Sequence, residues 1–275
     1  MAKIGLALGG GGARGIAHIH VLEAFDDLGI KPSVISGSSI GGIVGAGYAA
    51  GMSGAEVREY AIKTFSKSSK ILAKFWQMRK PAIGRLFDKE RNRFAEIDPL
   101  NIMNSFLPPG LPRNFSQLSI PMKIIVADFY DMSEIVLSEG DLYLALAGTA
   151  AIPVLFRPQI INGRLVVDGG ILNPVPFDVF DDNMDLVVAV DVVGRPVGEN
   201  PALPTRKELG YGTLQLLMQR ITSLKVEQKQ PDLLIRPDIH EYRVLDFLKT
   251  EEILWNTFET RQDTRQRLEK LLKTI

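Results

Sequence analysis

The sequence predicts a three-layer αβα fold with a mostly parallel central sheet, and three observations carry that expectation. Short apolar runs of strand character alternate with helical runs across brief connections, the pattern of a parallel sheet covered by helices. A four-glycine run, Gly9–Gly12, follows the first strand and opens a helix. A serine with glycines two positions to either side, in Gly37-Ser38-Ser39-Ile40-Gly41, separates the second strand from the second helix.

Taken in order, Lys3–Leu8 is the first strand and Ala13–Leu28 the helix after the glycine run. Ser33–Ser36 is the second strand, and the small-residue run Gly42–Ala50 the second helix. From Glu56 to Leu107 the pattern is helical but irregular, which predicts a cap inserted over the sheet. The breaker cluster Pro108-Pro109-Gly110-Leu111-Pro112 closes it. Met122–Ala127 has the composition of a buried strand, with Glu134–Leu137 as hairpin partner and Leu142–Ala150 as a helix. Arg164–Val167 is a short strand ending at Asp168-Gly169-Gly170. Leu186–Val190 and Leu233–Ile235 are two more core strands, and Glu251–Lys273 is a long helix with a polar face. With no repeat or low-complexity linker, the expectation is one domain over residues 1–275. Its core spans 3–195, its cap about 56–107, and a helical C-terminal region about 205–275.

The 275 residues, 45% of them hydrophobic, suffice for a substantial core. Lys plus Arg equals Asp plus Glu at 32 each, so overall charge singles out no partner. The absence of cysteine excludes disulfides, thiolate catalysis and cysteine-ligated zinc. Met1-Ala2-Lys3-Ile4 runs into a strand without a signal-peptide core, and no apolar run approaches the roughly 18 residues that span a bilayer. The expectation is a soluble cytoplasmic protein, at most peripheral to a membrane.

A serine pinched between strand and helix must take a sharp turn, and flanking glycines keep its neighbours from colliding with adjacent backbone. The turn lifts Oγ to a helix N-terminus, where partial positive charge favours a developing alkoxide. Of Ser36, Ser38 and Ser39, only Ser39 has both glycines. The loop Gly9-Gly10-Gly11-Gly12-Ala13-Arg14-Gly15 can converge its N–H groups on an anion. Gly10-x-Gly12-x-x-Gly15 fits a dinucleotide fingerprint, but the second strand lacks the acidic residue that fingerprint wants. Arg14-Gly15-Ile16 is not a P-loop ending either. An oxyanion fits better, because the second strand delivers a serine beside the loop. A glycine turn with packing value alone is the alternative.

The base for such a serine could be His18, His20 or His240, but none ends a strand in a recognisable motif. Asp168 does end one, and Gly169-Gly170 lets the backbone turn away from its carboxylate, where desolvation would raise its basicity. Asp128 and Asp191 also follow core strands but lack the glycine pair.

These blocks occur in one order: Gly10-Gly11-Gly12-Ala13-Arg14-Gly15 with His18, Gly37-x-Ser39-x-Gly41, Ala151–Pro158, and Asp168-Gly169-Gly170 with Asn173-Pro174. Together they resemble the patatin-like phospholipase family. Val188–Val192 adds a likeness to its bacterial branch related to neuropathy target esterase, over roughly residues 3–195. The resemblance implies hydrolysis of fatty-acyl lipid esters by a Ser–Asp dyad, Ser39 and Asp168, without histidine. It implies an oxyanion hole at Gly10, Gly11 and Gly12, an Arg14 that stiffens the loop or contacts a phosphate, and neither metal nor organic cofactor. His20 and Ile40 depart from the family pattern, which has glycine and a small residue there, and a bulky Ile40 would narrow the acyl site.

Residues 63–93 hold ten basic side chains against Asp88 and Glu90, interleaved with Phe65, Phe75, Trp76 and Phe87. Such an element suits an anionic membrane surface, at about 1 kcal/mol per nearby cation, or else packs on the domain with its lysines in solvent. It carries no nucleic-acid reading motif. The expected function is a serine acyl hydrolase with a lipid or acyl-ester substrate, no nucleic-acid partner and an oligomeric state left open. The alternatives are an acyltransferase or thioesterase with the same dyad, or a non-catalytic scaffold.

Overall fold

Every residue of Ile4-Gly5-Leu6-Ala7-Leu8 is buried, and the strand they form, β1 (Ile4–Leu8), lies inside the sheet. A computed structural model describes residues 2–66, 98–153, 155–196 and 203–275. The other strands among them are β2 (Val34–Ser38), β3 (Met122–Asp128), β4 (Ser133–Leu137), β5 (Gln159–Ile161), β6 (Arg164–Asp168), β7 (Leu186–Val190) and β8 (Leu233–Ile235). The helices are α1 (His18–Asp27), α2 (Ile40–Ala49), α3 (Gly54–Ser66), α4 (Pro99–Phe106), α5 (Leu142–Thr149), α6 (Arg206–Gln228), α7 (Thr250–Asn256) and α8 (Glu259–Leu272).

The sheet order is β5-β6-β3-β2-β1-β7-β8, with β4 against β3. β1 is parallel to both β2 and β7, and the β2–β3 and β7–β8 pairs are parallel as well. β4, β5 and β6 add antiparallel pairs at one end. Side chains alternate between two faces, as a strand requires. Leu6 and Leu8 join a core with Ile16, Ile19 and Leu22, whereas Ala7 joins Val175, Phe177 and Phe180, with Met218 and Val226 of α6 packed on that cluster. The result is an α/β sheet, mostly parallel and flanked by helices.

β3 positions the site. Ile35–Ser38 of β2 pair with Met122–Ile125, while Asp168–Val166 of β6 pair with Val126–Asp128. β4 occupies the opposite edge along Ile124–Asp128. β2 and β6 therefore share one edge of β3 and run head-on into each other at Ile125 and Val126.

Several elements differ from expectation, each for a local reason. The helix expected from Ala13 begins as a tight 3-10 turn, Gly12–Ala17, because Ala13 N–H is tied to Val244 O (2.8 Å) and Gly12 sits at φ +61°. β2 runs on to Ser38 and α2 starts at Ile40, so the whole reversal falls on Ser39. The C-terminal helix divides at Thr257, whose N–H and Oγ1 both donate to Ile253 O (3.0 and 2.7 Å), and the next turn tightens, with Thr260 N–H donating to Thr257 O (3.0 Å) and Arg261 N–H to Phe258 O (3.2 Å). β5 and the length of α6 were not foreseen. The expected cap over 56–107 and its cationic segment fall largely on residues 67–97, outside the described residues; α3 and α4 are its described ends.

Candidate active site

Ser39 holds φ +53° and ψ −126°, a conformation that costs a non-glycine residue about 1–3 kcal/mol and persists only where its surroundings impose it. Two constraints do so. Ser39 N–H donates to Thr149 Oγ1 (2.8 Å), which donates onward to Ile125 O (2.5 Å), so α5 and β3 clamp the turn from beneath. At position 41 a Cβ would run into Leu8 O, so only glycine lets α2 begin this close to β1. Ser39 is the N-cap of α2, yet its hydroxyl caps nothing. It donates instead to Asp168 Oδ2 at 2.6 Å.

Asp168 is buried at the end of β6, its N–H bonded to Ala151 O (3.0 Å) and its Oδ1 accepting from Gly170 N–H (2.8 Å). Burial raises its pKa to about 6, against the opposing hydrogen bonds from Ser39 and Gly170. Gly169 packs against Ile125, and Gly37 lies within β2 opposite Leu8 and Ile124.

The glycine loop lies on the other side of Ser39, with Gly10 against its Cβ. Gly10 N–H donates to Pro174 O (2.8 Å), so it is not available to an oxyanion, contrary to expectation. The N–H groups of Gly11 and Gly12 have no acceptor among the described residues, and neither does that of Ile40, the first residue of α2. Arg14 is 2% exposed, and its Nε donates to Gly11 O (3.1 Å). Of the two roles weighed for it, the geometry matches the stiffening one. Burial lowers its pKa to about 10, with Asp191 and Asp246 opposing. Gly15 packs beneath Ile40.

The rival bases are engaged elsewhere. His18 places Nε2 2.8 Å from Gly9 O, and burial pulls its pKa down to about 4. His20 Nε2 contacts Leu254 O (3.0 Å), its Nδ1 lies 3.1 Å from Arg58 Nη2, and His240 is exposed on a turn. Asp128 accepts from the N–H groups of Asp131 and Tyr130 and pairs with Arg164, which hold its pKa below the usual range. Asp191 pairs with Arg236 (3.2 Å). Among the described residues only Asp168 reaches Ser39 Oγ.

A cavity of about 970 Å³ opens beside Ser39, the size of sites that enclose a small organic ligand. Its wall is largely apolar, with Val44 of α2, Val57 of α3, Met103 of α4, Phe156 and Tyr242. Ile40 lies at its floor, 6% exposed. Three contributors escaped the sequence: Thr149, the 242–249 segment whose Val244 O braces Ala13, and Met218 of α6, which packs near Gly10 and Gly170. Only Thr149 left a trace, as a hydroxyl at the end of an apolar helix.

Comparison with known proteins gives a consistent answer. The family model for patatin-like phospholipase matches residues 6–181. An uncharacterized NTE family protein of Mycobacterium bovis is 32% identical over 197 residues, covering 71% of this chain and 51% of its own length. Lysophospholipase NTE1 of Saccharomyces cerevisiae is 26% identical over 279 residues, covering 91% of this chain and 16% of its own. The chain thus spans about half of the first relative and a small part of the second. Among solved structures, VipD from Legionella pneumophila shares the fold with a TM-score of 0.52 at 14% identity, over 98% of this chain and 67% of that one.

Proposed function

The chain belongs to the patatin-like phospholipase family, and on that premise we propose that it is a serine acyl hydrolase cleaving fatty-acyl esters of phospholipids or lysophospholipids. The observation that carries the reading is the 2.6 Å hydrogen bond from Ser39 Oγ to the buried carboxylate of Asp168. Ser39 Oγ attacks the ester carbonyl carbon as its proton passes to Asp168. The carbonyl oxygen gains negative charge against the N–H groups of Gly11 and Gly12, with Ile40 N–H at the helix start as a third donor. The ester C–O bond breaks, and the alcohol leaves with the proton held by Asp168. Water then adds to the acyl-enzyme and gives its proton to Asp168, which passes it to Ser39 Oγ as the acyl–Oγ bond breaks, releasing the fatty acid and regenerating Ser39 and the Asp168 carboxylate. The apolar cavity takes the acyl chain. The cationic segment 63–93 supplies a contact to anionic lipid.

A fluorophosphonate probe and lysophosphatidylcholine test this reading together. The wild-type protein should label and hydrolyse, and Ser39→Ala should do neither. Folded wild-type protein that does neither overturns it.

A further inference from the structure

Four leucines line the cavity and yet face water: Leu209 (59% exposed), Leu216 (61%), Leu245 (41%) and Leu248 (59%). Leu209 and Leu216 stand two turns apart on α6, and so on one stripe of it. Leu245 and Leu248 lie where the chain enters the short 3-10 turn Phe247–Lys249. An apolar cluster of this kind marks an interaction surface rather than ordinary scattered exposure.

Cations outnumber acids among the lining residues here, with Lys249 also 3.4 Å from Glu252 outside the lining. Arg195, Arg243 and Lys249 line the same cavity and are exposed. Asp246 is the single acid among the lining residues described, and its carboxylate accepts from Arg243 N–H (2.9 Å). Arg195 follows an anchored loop: Gly194 packs on the Arg14 guanidinium, and Gly194 O accepts from Gln219 Nε2 (3.1 Å). Leucines beside cations, at the opening of a cavity sized for an acyl chain, match the layering of a lipid surface, with acyl groups inside and phosphates at the level of the cations.

We propose that the rim formed by α6 and the 243–249 segment docks on a bilayer containing anionic phospholipid, so that an acyl ester passes from the membrane into the cavity. The proposal rests on the acyl-hydrolase reading and deepens it. It assigns docking to residues other than the cationic segment 63–93, whose described start meets this rim where Phe65 stacks on Phe247. Leu209, Leu216, Leu245 and Leu248 enter the acyl layer, and Arg195 and Lys249 meet phosphate oxygens.

Because the chain has no cysteine, Leu216→Cys and Leu248→Cys each give a single attachment point for an environment-sensitive fluorophore. Both are made in the Ser39→Ala protein so that vesicles stay intact. Asp182→Cys, beyond the amino end of β7 and away from Gly9, is the reference. With phosphatidylcholine–phosphatidylglycerol vesicles, labels at 216 and 248 should brighten several-fold and shift to the blue while the label at 182 stays unchanged. Phosphatidylcholine alone should give a much smaller response, and Arg195→Gln with Lys249→Gln should weaken vesicle binding several-fold. Unchanged emission at 216 and 248 in protein that co-sediments with vesicles assigns docking to another face and overturns the proposal. Absence of co-sedimentation overturns it too. Hydrolysis of dispersed lysophosphatidylcholine by the wild type, measured separately, tells a failed docking surface from a failed hydrolase.

Discussion

Asp168 ends β6 opposite Val126, one step along the same edge of β3 from Ile125, where Ser38 ends β2. The two strands run toward each other, so the residues at their meeting point converge, and Ser39 Oγ and Asp168 Oδ2 come to 2.6 Å. One edge of one strand thus joins groups 129 positions apart in sequence.

A base role for Asp168 requires its ionised form, and burial lifts its pKa to about 6. On a water-soluble ester, kcat/KM should be level above that value and fall about tenfold per pH unit below it. A profile level down to about pH 4, the ordinary carboxylate range, would move the base elsewhere.

The same shift sets a stability change of known sign. The folded state binds this proton more tightly than the unfolded chain, so stability falls as pH rises from about 4 to about 6, by roughly 3 kcal/mol from this group, and is level beyond. Asp168→Asn should therefore raise the urea midpoint at neutral pH while lowering turnover about 10²–10⁴-fold. A lowered midpoint with normal turnover would contradict both assignments.

Thr149→Val keeps the shape but leaves Ser39 N–H and Ile125 O without their buried partner. A loss of about 1–3 kcal/mol is expected in denaturant unfolding, together with a lower kcat. Thr149→Ser should restore most of both. Damage in Thr149→Ser with little in Thr149→Val would show that packing of the methyl group matters, not the hydroxyl.

Gly12→Ala places a side chain at φ +61° and against Val244 O. It should slow fluorophosphonate labelling about 10²-fold or more, the scale of a lost oxyanion donor. Gly110, at φ +92° with open space around it, is the reference. Gly110→Ala carries the backbone penalty alone and should leave labelling unchanged.

Ile40→Ala removes a buried side chain shared between the cavity floor and Gly15. A stability cost of about 2–5 kcal/mol is expected. Across a panel of acyl esters, kcat/KM should shift toward bulkier chains relative to the wild type. An unchanged ranking would show that Ile40 does not shape the acyl site.

Much of the site was legible because its parts are local. A strained turn demands glycines around Ser39, and a carboxylate at a strand end followed by Gly169-Gly170 reads as one held in place. Hydrogen bonds between distant segments leave no local signal, so Thr149, Val244 and Met218 went unseen. For the same reason the sequence offers Gly10 as an oxyanion donor although its N–H already donates to Pro174 O.

By itself the sequence determined the α/β class, the order of its motif blocks and the nucleophile candidate, because turn chemistry and strand periodicity act over a few residues. Only the tertiary structure decided which carboxylate reaches Ser39, which glycine N–H groups stay unpaired, and that Arg14 turns inward to Gly11 O. The physical reason is common to all three. A hydrogen bond needs its partners within about 3 Å, and for these groups that proximity comes from the register of β2 and β6 on β3 and from the Pro174 and Val244 carbonyls, which no neighbouring residue specifies.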